Sequence, residues 1–217
     1  MNIKWYGHSC FLLTSDRGIK ILTDPCDPKV GYNISGIEAD AVTVSHTHFD
    51  HCFTDALRGK YIRLEGCVDT EVGGVKIKGF PSFHDEFEGK KRGQNTLFLI
   101  EIDGIRVLHC GDLGHILSEE AAAELGGVDV LLVPVGGYYT IDHAQARQLA
   151  NLLKPSVVIP MHYKTADCTV DNIEGLSPFI SSVIGCKIHK LNQSEATLTR
   201  ESLGDDRVLV LDYEKQA

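Results

Sequence analysis

A chain of 217 residues, 43% hydrophobic and 24% charged, has the size of one α/β domain over 1–217 and can bury a core without staples. A net charge of −9 argues against long nucleic acid as a partner, because a phosphate polymer needs a basic stripe, and the absence of a long apolar run argues against a membrane span. Seven cysteines with no Cys-x-x-Cys pair fit reduced thiols rather than a disulfide framework, and Met1-Asn2-Ile3-Lys4-Trp5 enters a strand pattern with no secretory segment, so a cytoplasmic location is expected.

In chain order, Ile3–Tyr6, Phe11–Thr14 and Lys20–Thr23 read as three early strands separated by Gly7-His8-Ser9 and Asp16-Arg17-Gly18. Ala41-Val42-Thr43-Val44 is apolar and β-branched enough for a buried strand ending at Ser45. Strands follow at Val75–Lys78, Leu97–Ile102 and Ile105–Val107-Leu108, the last two joined by Asp103-Gly104, a strong hairpin signal. A helix from about Ser118 to Leu125, a buried strand at Val130–Val133 and a helix from Asp142 to Leu153 come next. Asp142 and Gln145 form a capping-box pattern, and Lys154-Pro155 stops that helix. Val157–Ile159 is another buried strand, Ser177 to Gly185 a last helix, and Lys187–Leu191, Ala196–Leu198 and Val208–Leu211 terminal strands. Two sheets with helices outside them are the natural packing for this order.

His46, His48, Asp50 and His51 fall within six residues directly after the buried strand. In an extended segment residues two apart point the same way, so His46 and His48 can hold one ion, while a turn after Phe49 swings Asp50 and His51 toward another. Imidazole nitrogen with carboxylate oxygen suits Zn²⁺ and tolerates Mn²⁺, Fe or Ni²⁺. His84, Asp112 and His162 each end an apolar run, at the strand edge where α/β sheets build their sites. Cys10, Cys52 and Cys110 read as small packed hydrophobes. His109 is expected to point into the sheet, and His115 is the rival ligand near Asp112. Glu88-Gly89-Lys90-Lys91-Arg92-Gly93 is the densest basic run, and it reads either as a solvated hairpin tip or as a clamp for a phosphate or carboxylate.

Together, Thr23-Asp24-Pro25, His46-x-His48-x-Asp50-His51, His84, Gly111-Asp112 and His162 resemble, in order, the five motifs of the metallo-β-lactamase fold hydrolases. Trp5-Tyr6-Gly7-His8-Ser9-Cys10-Phe11, His109–Gly114 and Pro160-Met161-His162-Tyr163 resemble the compact branch of that superfamily that is similar to L-ascorbate-6-phosphate lactonases. The resemblance implies a four-layer αββα sandwich of two mixed sheets flanked by helices. It also implies two divalent ions, one on His46, His48 and His84 and one on Asp50, His51 and His162, bridged by Asp112 and an oxygen from water. That water, as hydroxide, would be the nucleophile. Asp50 is the candidate to orient it and to pass a proton to the leaving group.

Asp24 is expected behind the ligands, accepting an imidazole N–H, while His8 is read either as a supporting hydrogen bond or as a substrate contact. Tyr139, Tyr163 and Lys164 are candidate substrate contacts. The leading expectation is hydrolysis of a small anionic ester or lactone. A phosphodiesterase acting on a nucleotide or lipid headgroup, and a non-catalytic binding or regulatory protein stabilised by its metals, are the alternatives. A small-molecule partner is expected, without nucleic-acid polymer or membrane, and a homo-oligomer is left open.

Overall fold

The computed structural model describes residues 1–183, 185–204 and 207–215. Five strands come first: β1 (Asn2–Gly7), β2 (Cys10–Thr14), β3 (Lys20–Thr23), β4 (Ala41–Val44) and β5 (Ile62–Glu65). Four follow as β6 (Asp69–Val72), β7 (Val75–Phe83), β8 (Gln94–Ile102) and β9 (Ile105–His109). The remainder alternates more, with α1 (Glu119–Leu125), β10 (Val130–Pro134), α2 (His143–Leu153), β11 (Val157–Met161) and α3 (Ser177–Ser182). β12 (Lys187–Lys190), β13 (Glu195–Thr197) and β14 (Arg207–Val210) close the fold.

The strands form two mixed sheets, one ordered β13-β1-β2-β3-β4-β5 and the other β12-β14-β11-β10-β9-β8-β7-β6. Antiparallel pairing joins β1 to β2 and β2 to β3, and parallel pairing carries that sheet on through β4 and β5. The second sheet is antiparallel from β6 to β9 and parallel from β9 through β10 and β11 to β14 and β12. The Asp103-Gly104 hairpin forms as its sequence dictates, with both residues at positive φ, 51° and 73°, as a tight primed turn requires.

Alternation along the strands explains the layering. Phe11, Leu13, Ile21 and Ala41 point between the sheets and pack with Phe98, Ile100 and Val107. Their neighbours Cys10, Leu22, Val42 and Val44 point the other way into a second apolar cluster. The first sheet is therefore buried on both faces, which is why its strands read as continuous apolar runs. Its outer face is covered by Cys26, Val30, Tyr32, Ile34 and Ile37 on an irregular segment with one 3-10 turn at Pro28–Val30. The α-helices group on the other sheet, where α2 packs against β10, α1 and α3.

Local signals place most helix ends. Ser118 caps α1, and the Asp142–Gln145 capping box is complete at α2. The last helix stops at Ser182, short of the expected Gly185, and Ile184 lies outside the described residues. β5 and β6 were not marked by the sequence pattern, because edge strands with mostly exposed side chains carry little apolar periodicity. β7 runs on past Lys78 to Phe83, held by pairing with β8 from Lys76 onward.

The loops at the carboxyl ends of β1, β3, β4, β7, β9 and β11 carry His8, Asp24, Ser45–His51, His84, Asp112 and His162 to one edge of the sandwich. Close packing holds these loops together. A Cβ on Gly114 would lie 2.3 Å from the backbone nitrogen of Asp85 and the carbonyl carbon of His84. Gly114→Ala should therefore destabilise the protein by about 1–3 kcal/mol in urea unfolding. Gly127→Ala, which meets open space, should stay within about 0.5 kcal/mol of the parent.

Candidate metal centre

The centre begins with a buried carboxylate. Asp24 is fully buried, and its Oδ1 accepts from Ser45 N at 2.8 Å while Oδ2 accepts from Ser45 Oγ at 2.5 Å and His51 Nδ1 at 2.7 Å. Burial opposes its charge, and His109, His51 and Ser45 outweigh that, holding its pKa below the ordinary value. Because Ser45 gives its only hydroxyl proton to Asp24, its oxygen accepts from His46 Nδ1 at 3.0 Å. Both His46 and His51 are thereby set in the tautomer that leaves Nε2 as a free lone pair.

Those lone pairs converge. His46 Nε2 lies 3.1 Å from His48 Nδ1. Asp112 Oδ2 lies 3.1 Å from His84 Nε2 and 3.9 Å from His46 Nε2. Its other oxygen, Oδ1, lies 3.0 Å from His51 Nε2 and 3.3 Å from His162 Nε2. Three overlapping donor groups result: His46, His48 and His84; His46, His51 and Asp112; and His8, Asp50, His51 and His162.

The donor set fits a cation. His51 Nε2 and Asp112 Oδ1 are close yet not aligned for a hydrogen bond, and both are buried with no other partner. Around a tetrahedral metal, bonds of about 2.0–2.1 Å put neighbouring ligand atoms roughly 3.3 Å apart, which is the spacing here. Burial and the nearby His51 ring push His46 down to about 3, so it is a neutral donor near neutral pH. Burial works against an ionised Asp112, and His162 and His51 overcome it, so the carboxyl stays well below its usual range. Burial also disfavours a charged His51, but Asp112 and Asp50 raise its pKa well above the ordinary value.

His8 sits behind Asp50. It is fully buried, its Nε2 donates to Asp50 Oδ2 at 3.2 Å, and its ring centroid is 4.0 Å from that of His162. Its carbonyl accepts from Trp5 Nε1 and from His162 N, both at 3.1 Å. Burial first, and then the His162 ring, lower its pKa to about 4. Of the two roles left open by the sequence, this placement is the supporting hydrogen bond.

A cavity of about 650 Å³ opens over the centre, and His48, Asp50, His84 and Asp112 line it. Tyr139 lines it too, but Tyr163 and Lys164, expected at the substrate, lie elsewhere. The chain turns sharply at His162, where φ is 50°, and sends the Tyr163 ring into the core 5.4 Å from Trp5. Lys164 Nζ is engaged by the carbonyl of Val170 at 2.6 Å. His109 points inward as expected, donating from Nε2 to Ser9 O and accepting at Nδ1 from Gly111 N. His115 braces the backbone by accepting from Phe83 N. The sequence reading missed Asn95, whose side chain donates to Ser82 Oγ and Cys110 O and accepts from Asp112 N. The only signal for it was an amide at the start of an apolar strand.

The profile described as a Beta-lactamase superfamily domain matches residues 2–162. The chain belongs to the metallo-β-lactamase superfamily. Its relatives include UPF0173 metal-dependent hydrolases of Archaeoglobus fulgidus, 32% identical over 76% of this chain and 84% of the relative, and of Methanoregula boonei, 29% identical over 90% and 97%. A solved Thermotoga maritima structure of the same superfamily superimposes with a TM-score of 0.79 at 36% identity, covering 97% of this chain and 98% of the other. Igni18, a metallo hydrolase of Ignicoccus hospitalis, shares the fold at a TM-score of 0.70 and 23% identity, covering 99% and 96%. The chain is a metal-dependent hydrolase of this superfamily. Among its described residues no helix is long and apolar enough to cross a membrane.

Removing Asp24 tests the network directly. Asp24→Ala leaves Ser45 and His51 with buried, unpaired donors, and should cost the metal-free hydrolase about 3–5 kcal/mol in urea unfolding. A loss below about 1 kcal/mol would mean that the three hydrogen bonds do not organise the centre.

Proposed function

We propose that this hydrolase is dinuclear and cleaves a small anionic ester or lactone in the cytoplasm. The observation that carries the reading is the division of Asp112, whose two oxygens face two separate imidazole pairs 3.0–3.9 Å away. In this reading His46, His48 and His84 would hold one divalent ion and Asp50, His51 and His162 the other, with Asp112 available to both. The nitrogen and oxygen donor set suits Zn²⁺ first, with Mn²⁺, Fe or Ni²⁺ as competitors. When bound, a pair of divalent ions would acidify water and polarise the bond to be cleaved.

The chain's own residues supply the rest. Asp50 reaches the cavity, and with Oδ2 held by His8 its Oδ1 is the oxygen able to take a proton from the attacking water and return it to the leaving group. His8 fixes the carboxylate's orientation, so proton transfer does not wait on a rotamer search. A cavity of about 650 Å³ is the size for a small molecule rather than a polymer. The likeness of Trp5–Phe11 and Pro160–Tyr163 to the lactonase-like branch favours an ester or lactone over a phosphodiester. Seven free cysteines suit a reducing compartment.

Protein purified without chelator should contain two divalent ions per chain by elemental analysis, and chelation should abolish turnover in a panel of lactones, esters and phosphodiesters. One ion per chain at saturation, or turnover that survives chelation, would overturn the dinuclear reading. Asp50→Asn should lower kcat by about 10²–10⁴-fold. Near-parent kcat with both ions retained would remove Asp50 from proton transfer.

A further inference from the structure

The basic run after His84 is not a loose tip. Asp85, which the sequence reading passed over, is buried, and its carboxylate accepts four backbone N–H groups around the turn. Oδ1 takes those of Phe87 and Gly89 at 2.8 and 3.0 Å, and Oδ2 takes those of Lys91 and Arg92 at 2.9 and 2.7 Å. Two further backbone bonds, Gly93 N to Gly89 O and His84 N to Gly93 O, close the loop onto the base of the centre. A segment caged this way presents its side chains at fixed positions.

The cage sorts the three cations. Lys90 is exposed at the tip, paired with Glu88 at 3.8 Å. Lys91 lies over the Phe87 ring, its Nζ 3.7 Å from the centroid. Arg92 turns to the metal centre, where among the described residues it is the one Lys or Arg side chain lining the large cavity, beside His48, His84 and Asp112. Its guanidinium carbon sits 5.5 Å from the centroid of Tyr139 on the same wall. Among the described residues it has no carboxylate partner within ion-pair distance, although Asp50, Asp112 and Asp171 line the same cavity. A guanidinium resting against an aromatic face keeps its edge N–H groups free for a planar or tetrahedral oxyanion.

We propose that Arg92 is the specificity-determining residue of this hydrolase. It receives a carboxylate or phosphate group carried by the substrate away from the bond that is cleaved, with Tyr139 backing the guanidinium. This rests on the ester or lactone reading above and narrows it to substrates bearing a second, non-reacting anionic group. Because the Asp85 cage is already formed, binding that group requires no ordering of the loop.

The metal-loaded parent, Arg92→Ala and Arg92→Lys are compared on the half-ester of adipate with para-nitrophenol and on para-nitrophenyl hexanoate, which lacks the carboxylate. Arg92→Ala should lower the ratio of kcat/KM for the anionic over the neutral ester by about 10–100-fold, through KM, the size of a lost charge-assisted hydrogen bond. Arg92→Lys should fall between, keeping the charge but losing the planar fork. Adipate binding, measured by calorimetry on the same proteins, reads the clamp without chemistry and should weaken by a similar factor in Arg92→Ala. Acetate and inorganic phosphate as competitors separate the two oxyanions, since the preferred one loses more potency in that variant. An unchanged ester ratio together with unchanged adipate affinity would overturn the clamp. Adipate affinity that falls in Arg92→Ala, with no ester turned over by the parent, would leave the clamp standing and refute ester hydrolysis instead. Metal content equal to the parent's in both variants separates either result from a damaged centre.

Discussion

The centre depends on one buried charge that touches no substrate. Asp24, at the end of β3, gathers the backbone and hydroxyl of Ser45 and the Nδ1–H of His51 onto a single carboxylate. Three hydrogen bonds are what make an ionised carboxylate tolerable in the interior, where an unpartnered one would take up a proton instead. Through Ser45 the same charge also fixes the tautomer of His46. Two of the imidazoles are therefore poised as lone-pair donors by a residue that need not meet the reacting groups.

Neither sheet holds the site by itself. Asp24 and Ser45–His51 come from the six-stranded sheet, and His84, Asp112 and His162 from the eight-stranded one. The apolar interior between them, with Trp5, Phe11 and Ile21 facing Phe98 and Val107, sets their separation. Polar contacts then set the register at the edge: Thr96 N donates to Ser45 O across the sheets, and Asn95 ties the Asp112 loop to β8. His8, Asp24 and His162 all adopt positive φ, at 51°, 38° and 50°. Backbone strain of that kind persists where surrounding contacts over-determine the conformation, and here it aims side chains into the centre.

Chemistry and selectivity occupy different kinds of structure. Most of the donor groups sit buried at the ends of strands, among close-packed neighbours. The cavity wall is built from loops, with the exposed Phe49, Tyr139 and Arg92 on the caged turn among its lining. Such a division lets one rigid centre serve different substrates as loops change.

What the sequence determined by itself was the inventory and its order. The spacing of His46, His48, Asp50 and His51 after a buried strand, and the placement of His84, Asp112 and His162 at strand ends, are local facts of periodicity that need no partner to be read. The Asp103-Gly104 hairpin and the Asp142 capping box are local in the same way, since each is satisfied within a few residues. The exposed edge strands β5 and β6 left no such trace. Side-chain direction after a turn was equally hidden: Tyr163 follows His162 yet packs on Trp5, while Arg92, distant in sequence from most of the centre, reaches its cavity. Only the tertiary structure decided which oxygen of Asp112 faces which imidazoles, which histidine supports Asp50, and that Asp85 and Asn95 organise the loops. Those relations depend on distances of a few ångströms between residues separated by tens of positions, and such distances exist only after the two sheets have packed.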